Sequence, residues 1–340
     1  MYPLQTRRRM SPILLLILSL LALTGCVPSM YAAGDSMRAP ELESDDFVSS
    51  DGVTLPLRSW GEELPSPRAV IVALHGFNDY SKAFDEVGRY WATNGNIVTY
   101  AYDQRGFGDA GVRGTWAGTE TYVRDLREFC HQLRQRYTHT PLFVLGESMG
   151  GAIAMVAFTA VNPPDADGVI LSAPAVWARS TMPWYQRMAL FLGAHTIPWM
   201  TFTGAGIDVT PSDNRDMLIA LGRDPKVIKA TKVSAMYGLT NLMDAALSDS
   251  AKLAVPALIM IGARDEIVPN NASATMLSKL TPTNQQPRVA IYDQGYHMLL
   301  RDLDRQTVWD DVAAWITAPT KKLPSGMDNK DLQQWVREHL

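Results

Sequence analysis

Pro141-Leu142-Phe143-Val144-Leu145-Gly146-Glu147-Ser148-Met149-Gly150-Gly151 decides how the rest of this 340-residue chain is read. An apolar run of strand length, Leu142 to Leu145, stops at Gly146, and a helix-forming run, Ala152 to Val161, begins just after Gly150 and Gly151. Ser148 therefore sits at the apex of a tight strand-to-helix turn, flanked by glycines that let strand and helix approach closely. A serine held this way projects its hydroxyl above the sheet, where a base can reach it, and is a candidate nucleophile. Gly-x-Ser-x-Gly alone occurs by chance in many proteins; the strand–turn–helix setting gives it weight.

Strands and helices alternate on both sides of this turn. Asp51-Gly52, between Phe47 to Ser50 and Thr54 to Trp60, is a hairpin signal. Arg68 to Leu74 reads as an apolar strand ending at His75-Gly76-Phe77-Asn78-Asp79, and Lys82 to Thr93 as a helix. Asn96 to Tyr102 is the next strand, followed by Asp103-Gln104-Arg105-Gly106-Phe107-Gly108. Helical spacing of Tyr122, Leu126, Phe129, Cys130 and Leu133 predicts a helix from Thr119 to Tyr137. Further strands are expected at Gly168 to Ser172, Pro256 to Gly262 and Arg288 to Tyr292. Near-continuous apolar strands separated by helices predict an α/β fold, a mostly parallel central sheet with helices on both faces. From Ala173 to about Leu253 the alternation gives way to short helical pieces rich in Trp and Met, among them Trp177, Met182, Trp184, Met188, Phe191, Leu192, Trp199, Met200 and Phe202. This stretch reads as an inserted cap over the carboxyl ends of the strands, where ligands bind in open α/β sheets. Some of its aromatics are expected to form a greasy lid with an acyl-chain tunnel and others to pack the cap onto the core, with none singled out as a binding residue.

The composition, 46% hydrophobic and 19% charged, suits a globular chain with a large core. A net charge of −4 supplies no basic field for nucleic acid, and two cysteines imply no disulfide framework. No Cys/His cluster has metal-ligand spacing, and Gly106-Phe107-Gly108 lacks the third glycine and following helix of a dinucleotide loop, so no metal or cofactor is expected.

At the N-terminus, Arg7, Arg8 and Arg9 precede an apolar core, Ile13 to Leu23, too short for a permanent membrane span. Leu23-Thr24-Gly25-Cys26 resembles the bacterial lipobox, which implies a lipoprotein leader over residues 1–25 and acylation of Cys26. On that reading multiple acyl chains anchor the chain durably to a membrane. The expected location is the bacterial cell envelope, with Val27 pointing to the periplasmic face of the outer membrane. An ordinary signal peptide, or an uncleaved anchor, with an incidental cysteine is the competing reading. Residues 26–46 read as an aperiodic tether. They lead into a single α/β domain over residues 47–318, with the cap at about 174–252. A tail follows over 319–340, with one more short helix expected from Asp328 to Leu340.

A serine needs a base to take its proton. Of six histidines, His297 lies in a loop after the last strand, on the same rim as Ser148, whereas His131, His139, His195 and His339 sit on helices, in the cap or at the tail. An acid must then orient the imidazole. Asp265, in Gly262-Ala263-Arg264-Asp265-Glu266-Ile267-Val268-Pro269, follows a strand at its carboxyl end; Glu266 and Asp293 compete for the role. Attack on a carbonyl creates an oxyanion, for which the backbone N–H groups of Met149 and Phe77 are the candidate donors.

Together, His75-Gly76-Phe77-Asn78, the segment from Asp103 to Gly108, the Ser148 elbow, the segment from Gly262 to Pro269, and Gly295-Tyr296-His297 resemble the monoacylglycerol lipase and lysophospholipase branch of the α/β hydrolases, also labelled serine aminopeptidase S33. Arg223-Asp224-Pro225-Lys226-Val227 is similar to a cap segment of that branch. The resemblance spans about Phe47 to Thr317 and implies a serine hydrolase acting on esters of acyl lipids, with Ser148, Asp265 and His297 as the triad. Aminopeptidase or acyltransferase activity on the same triad stays open, as does a lipid-tethered binding protein that has lost the chemistry. An aminopeptidase would need an acidic cap residue for the substrate ammonium, and Asp208, Asp213, Asp216 and Asp244 leave that open. An aspartate nucleophile of the dehalogenase kind is argued against by Ser148.

Overall fold

The computed structural model describes residues 11, 28, 30–204, 206, 208–280 and 287–340. The leader's arginines, its apolar core and Cys26 lie outside the described residues. Among the described residues no helix is long and apolar enough to cross a membrane.

The strands are β1 (Glu41–Leu42), β2 (Asp46–Val48), β3 (Thr54–Trp60), β4 (Ala69–Leu74), β5 (Ile97–Tyr102), β6 (Leu142–Glu147), β7 (Gly168–Ser172), β8 (Thr201–Thr203), β9 (Ala230–Lys232), β10 (Ala257–Gly262) and β11 (Arg288–Tyr292). Strands β8 and β9 pair with each other in the cap; the rest form a nine-stranded sheet in the order β1-β2-β3-β5-β4-β6-β7-β10-β11. From β5 to β11 every neighbouring pair in that order is parallel. The β1, β2 and β3 edge is antiparallel, and β2 and β3 close the hairpin with Phe47 opposite Leu55.

Helices follow as α1 (Asp85–Tyr90), α2 (Thr119–Arg136), α3 (Met149–Thr159), α4 (Trp184–Thr196), α5 (Arg215–Arg223), α6 (Val233–Asp249), α7 (Asn270–Lys279), α8 (Arg305–Thr317) and α9 (Leu332–His339). Strand alternation divides the core in two. Val70, Val72 and Leu74 of β4 face Leu126, Phe129, Ile153 and Met276 of α2, α3 and α7. Ile71 and Ala73 face Val87, Trp309 and Trp315 of α1 and α8.

Four sequence expectations shift. The helix expected from Lys82 is a 3₁₀ turn (Ser81–Phe84), then α1, then a π turn (Trp91–Gly95) closed by Asn96 at φ 53°. The helix after the elbow begins at Met149, ahead of Gly150 and Gly151. Glycine at Gly150 answers to contact rather than helix breaking, because a Cβ there would lie 2.2 Å from the Leu74 carbonyl oxygen. The stretch read as a tether is held to the body from Tyr31 on: Tyr31 N–H donates to Trp116 O, Ala33 N–H to Thr121 Oγ1, Gly34 N–H to Asp51 and Met37 N–H to Ser50 O. These bonds run from backbone to distant partners and leave no period in the sequence. Finally, the cap contains the β8 and β9 ribbon as well as helices. The tail's helix, α9, starts on an Asp331 cap and buries Trp335 and Val336.

A buried charge cluster locks the hairpin to the sheet. The Arg105 guanidinium donates to Asp125 at 2.7 Å and to Asp51 at 2.8 Å, so the aspartate that signalled a turn is also half of an ion pair. Burial pushes the Asp125 carboxyl up to about 6 against the opposing hydrogen bond and charge of Arg105.

Candidate active site

Ser148, Asp265, His297 and Phe77 follow the carboxyl ends of the parallel strands β6, β10, β11 and β4. Ser148 follows β6 directly, with φ 53° and ψ −113°. That backbone region is costly for a residue with a Cβ, and it persists because the surroundings over-determine it. The Ser148 N–H donates to Ser172 O at 2.9 Å, and its carbonyl accepts from Ala152 at 3.0 Å and Ala175 at 2.9 Å. Gly146 allows the turn, since a Cβ there would sit 2.3 Å from the Gly150 carbonyl oxygen.

The structure joins His297 to Asp265. Nδ1 of the imidazole lies 2.8 Å from Asp265 Oδ2, and the other carboxylate oxygen accepts from the backbone N–H groups of Ile267 at 2.8 Å and Val268 at 2.9 Å. The carboxylate is thus fixed before it meets the ring, and a carboxylate partner makes Nδ1 the protonated nitrogen. Nε2 is left with its lone pair free for a proton. Burial lowers the His297 pKa, but the charge and hydrogen bond of Asp265, with Glu147 adding, carry it above the ordinary histidine value. The two competing acids are engaged elsewhere: Glu266 accepts from Thr210 N–H at 2.6 Å, and the exposed Asp293 pairs with Lys330. Among the described residues no hydrogen bond joins the Ser148 hydroxyl to His297, a contact that unliganded sites often tighten only with substrate bound.

The loop after β4 passes against the elbow, where a Cβ built on Gly76 would come 3.4 Å from the Ser148 Cβ. Phe77 packs its ring on Phe107 and Trp116. Met149 opens α3, so its N–H is one of the donors that a helix start leaves without an intrahelical partner. His75, assigned no role from the sequence, fixes this loop. Its Nε2 accepts from Gln104 N–H at 3.0 Å, so Nδ1 carries the proton and donates to Gly76 O at 2.8 Å. Burial lowers its pKa and keeps it neutral.

Two residues that sequence reasoning missed lie just past His297. Arg301 donates to Asp79 at 2.7 Å and Glu147 at 3.0 Å; Asp302 accepts from Tyr296 N–H at 2.8 Å and the Ser212 hydroxyl at 2.6 Å. Burial pushes the Asp302 carboxyl up to about 6. The only available signal was a charged pair directly after the apolar run Met298 to Leu300. The cap is stitched to the same loops: Met298 N–H donates to Pro211 O, Asn78 reaches Thr231, and Tyr80 reaches Asp224. A cavity of about 270 Å³ lies beneath this seam, walled in part by Asp79, Met217, Leu221 and Arg301. Of the cap's apolar residues, Trp177 and Met182 pack on the core, whereas Trp184 is 69% and Trp199 65% exposed, with Met188, Phe191, Leu192 and Phe202 also outward. Among the described residues no group of three or more His, Cys, Asp or Glu is placed to hold a metal ion.

The fold is that of an α/β hydrolase. A family model described as serine aminopeptidase S33 matches residues 65–304, and the chain belongs to that family. A monoacylglycerol lipase of Mycolicibacterium smegmatis is 28% identical over 291 residues, covering 80% of this chain and 96% of that protein. The human monoglyceride lipase is 27% identical over 286 residues, covering 83% and 92%. Among solved structures, a soluble variant of monoglyceride lipase from Saccharomyces cerevisiae, bound to a substrate analogue, superposes with a TM-score of 0.69 at 21% identity, covering 86% of this chain and 100% of that one.

Proposed function

We propose that this ester hydrolase cleaves carboxylic esters of acyl lipids, monoacylglycerol-like or lysophospholipid-like, through an acyl-serine intermediate. The observation that carries this reading is the 2.8 Å contact between His297 Nδ1 and an Asp265 carboxylate already fixed by two backbone amides, on the rim that bears the strained Ser148. Free Nε2 takes the Ser148 proton as the hydroxyl oxygen attacks the ester carbonyl, and Asp265 stabilises the resulting imidazolium. The oxyanion is met by the N–H groups of Met149 and Phe77, preorganised donors worth a few kcal/mol each. His297 then protonates the departing alcohol and draws a proton from water, which releases the acid and restores Ser148.

An ester is favoured over a peptide with a free amino terminus by the cap's carboxylates. Asp244 is held by Arg179, Asp213 accepts from Leu303 N–H, and Asp208 and Asp216 are exposed. Related proteins named monoacylglycerol or monoglyceride lipase support the lipid substrate. For cellular placement, the Leu23-Thr24-Gly25-Cys26 pattern supports a diacylated Cys26 holding the enzyme to an envelope membrane.

The test is a fluorophosphonate probe and a panel of monoacylglycerols, lysophospholipids and aminoacyl amides of graded size. Labelling of wild type and none of Ser148→Ala is expected, with turnover on esters. Equal labelling of both, or turnover confined to the amides, refutes the proposal. Incorporation of labelled palmitate that survives Cys26→Ser would remove the anchor.

A further inference from the structure

Arg301 lies four residues beyond His297, outside every motif that marks the site, yet its side chain reaches two of the other loops that build it. Nη1 donates to Asp79 Oδ2 at 2.7 Å and Nη2 to Glu147 Oε2 at 3.0 Å. Asp79 closes the loop that carries Phe77, and Glu147 is the residue immediately before Ser148. The main chain of Arg301 is held as well: its N–H donates to Met298 O at 2.7 Å, and its carbonyl accepts from Asn214 Nδ2 of the cap at 2.9 Å. Only 11% of the guanidinium side chain is exposed, against 9% for Asp79 and 2% for Glu147.

We infer that Arg301 is a positioning residue for the acyl transfer proposed above, holding the Ser148 elbow, the Phe77 loop and the His297 loop in one register. The physical case rests on geometry. A buried ion pair is a weak source of net stability, because desolvation of both charges offsets their attraction. A guanidinium, however, presents its donors in a planar, rigid fork, so two carboxylates bound to it are fixed relative to each other as well as to the arginine. Here those carboxylates belong to the segments that supply the nucleophile and one oxyanion donor, and the arginine belongs to the segment that supplies the base. Displacing any of the three by about 1 Å costs on the order of 100-fold in rate.

Charge gives a second handle on the same residue. His297 is faced by Asp265 and Glu147, which favour its protonated form, and by Arg301, which disfavours it. His75, in the loop that carries Phe77, is faced by Asp103 and Asp79 on one side of the balance and by Arg301 on the other. Removing the guanidinium leaves Glu147 uncompensated toward His297, and the imidazole proton is then held more tightly.

The inference rests on the serine-hydrolase reading, and the experiment separates the two. Full-length enzyme hydrolyses a p-nitrophenyl ester, with active sites counted by fluorophosphonate titration, in wild type, Arg301→Met, Arg301→Lys and Asp79→Asn. Arg301→Met is expected to lower kcat per titrated site about 100-fold with KM little changed. It should also move the acid limb of kcat/KM to higher pH. Arg301→Lys keeps the charge and loses the fork, so the acid limb stays near its wild-type position while kcat remains depressed. Unchanged kcat per site and an unchanged acid limb in Arg301→Met, with only a lowered melting temperature, overturn the positioning role. If Arg301→Met does not fold, wild-type kcat in both Arg301→Lys and Asp79→Asn overturns it instead. Hydrolysis that survives Ser148→Ala overturns the underlying reading, whatever the Arg301 variants do.

Discussion

The rim of the sheet and the cap that sits on it are built on opposite terms. On the rim, polar side chains are buried and paired: His297 with Asp265, Arg301 with Asp79 and Glu147, His75 with Gln104 and Gly76. On the cap, α4 and the turn into β8 hold Trp184, Tyr185, Phe191 and Trp199 toward solvent. A buried charge without a partner costs several kcal/mol, so the rim tolerates one arrangement of its loops. The cap is held on its inner face by apolar packing of α6, Trp177 and Met182 and along its seam by hydrogen bonds such as Ser212 to Asp302 and Asn214 to the Arg301 carbonyl, while its outward aromatics pack little. The rim's loops are therefore cross-linked by buried charges, whereas the outward face of the cap is not.

Four sets of measurements break or sharpen that contrast. The largest effect belongs to the rim. Ser148→Ala is expected to reduce kcat by about 10⁶-fold, by analogy with other serine triads, and Asp265→Asn by about 10⁴-fold, both measured on a p-nitrophenyl ester. Losses under tenfold would detach the Asp265–His297 relay from the reaction. Next, Arg105→Met leaves the buried Asp125 carboxylate without its cation and Asp51 with Arg124 alone, and should destabilise the fold by about 3–5 kcal/mol in urea melts. A neutral result would mean that the hairpin is held by its apolar contacts alone.

The third effect is a pH dependence. His297 must be neutral to act as a base, and its pKa is raised, so kcat/KM should fall on the acid side with a midpoint above the ordinary value of 6.5. A midpoint below it would contradict the dominance of Asp265 over burial. For folding the sign is fixed by the same shift: a raised folded pKa means a stabilising contribution fully present below the unfolded value and lost as pH rises through the folded one. The smallest effect belongs to the cap. Trp184→Ser and Trp199→Ser should change unfolding free energy by less than about 0.5 kcal/mol, as surface positions do, whereas Trp177→Ala should cost more than about 1 kcal/mol. Equal costs at all three sites would show that the outward face of the cap is buried against something in solution.

Much of the sheet was legible from the chain. The bounds of β7 and β11 match the sequence expectation residue for residue, and β7, buried at every position, carries the apolar signature of a strand covered on both faces. The elbow was legible for the same reason, with glycines marking a close approach. The β8 and β9 ribbon was not, since strands of three residues each carry no usable period. Nor was the docking of residues 31 to 37, which depends on backbone donors meeting Trp116, Thr121, Asp51 and Ser50 from far along the chain.

The sequence by itself determined the main parallel strands and the longer helices, and which three residue types, in which order, end up on one rim, because local periodicity and turn chemistry are written in neighbouring residues. Only the tertiary structure decided which acid meets His297, with Glu266 and Asp293 both taken by other partners, and that Arg301 spans the loops between them. Pairing between side chains far apart in sequence depends on burial and distance, and neither quantity exists until the chain has folded.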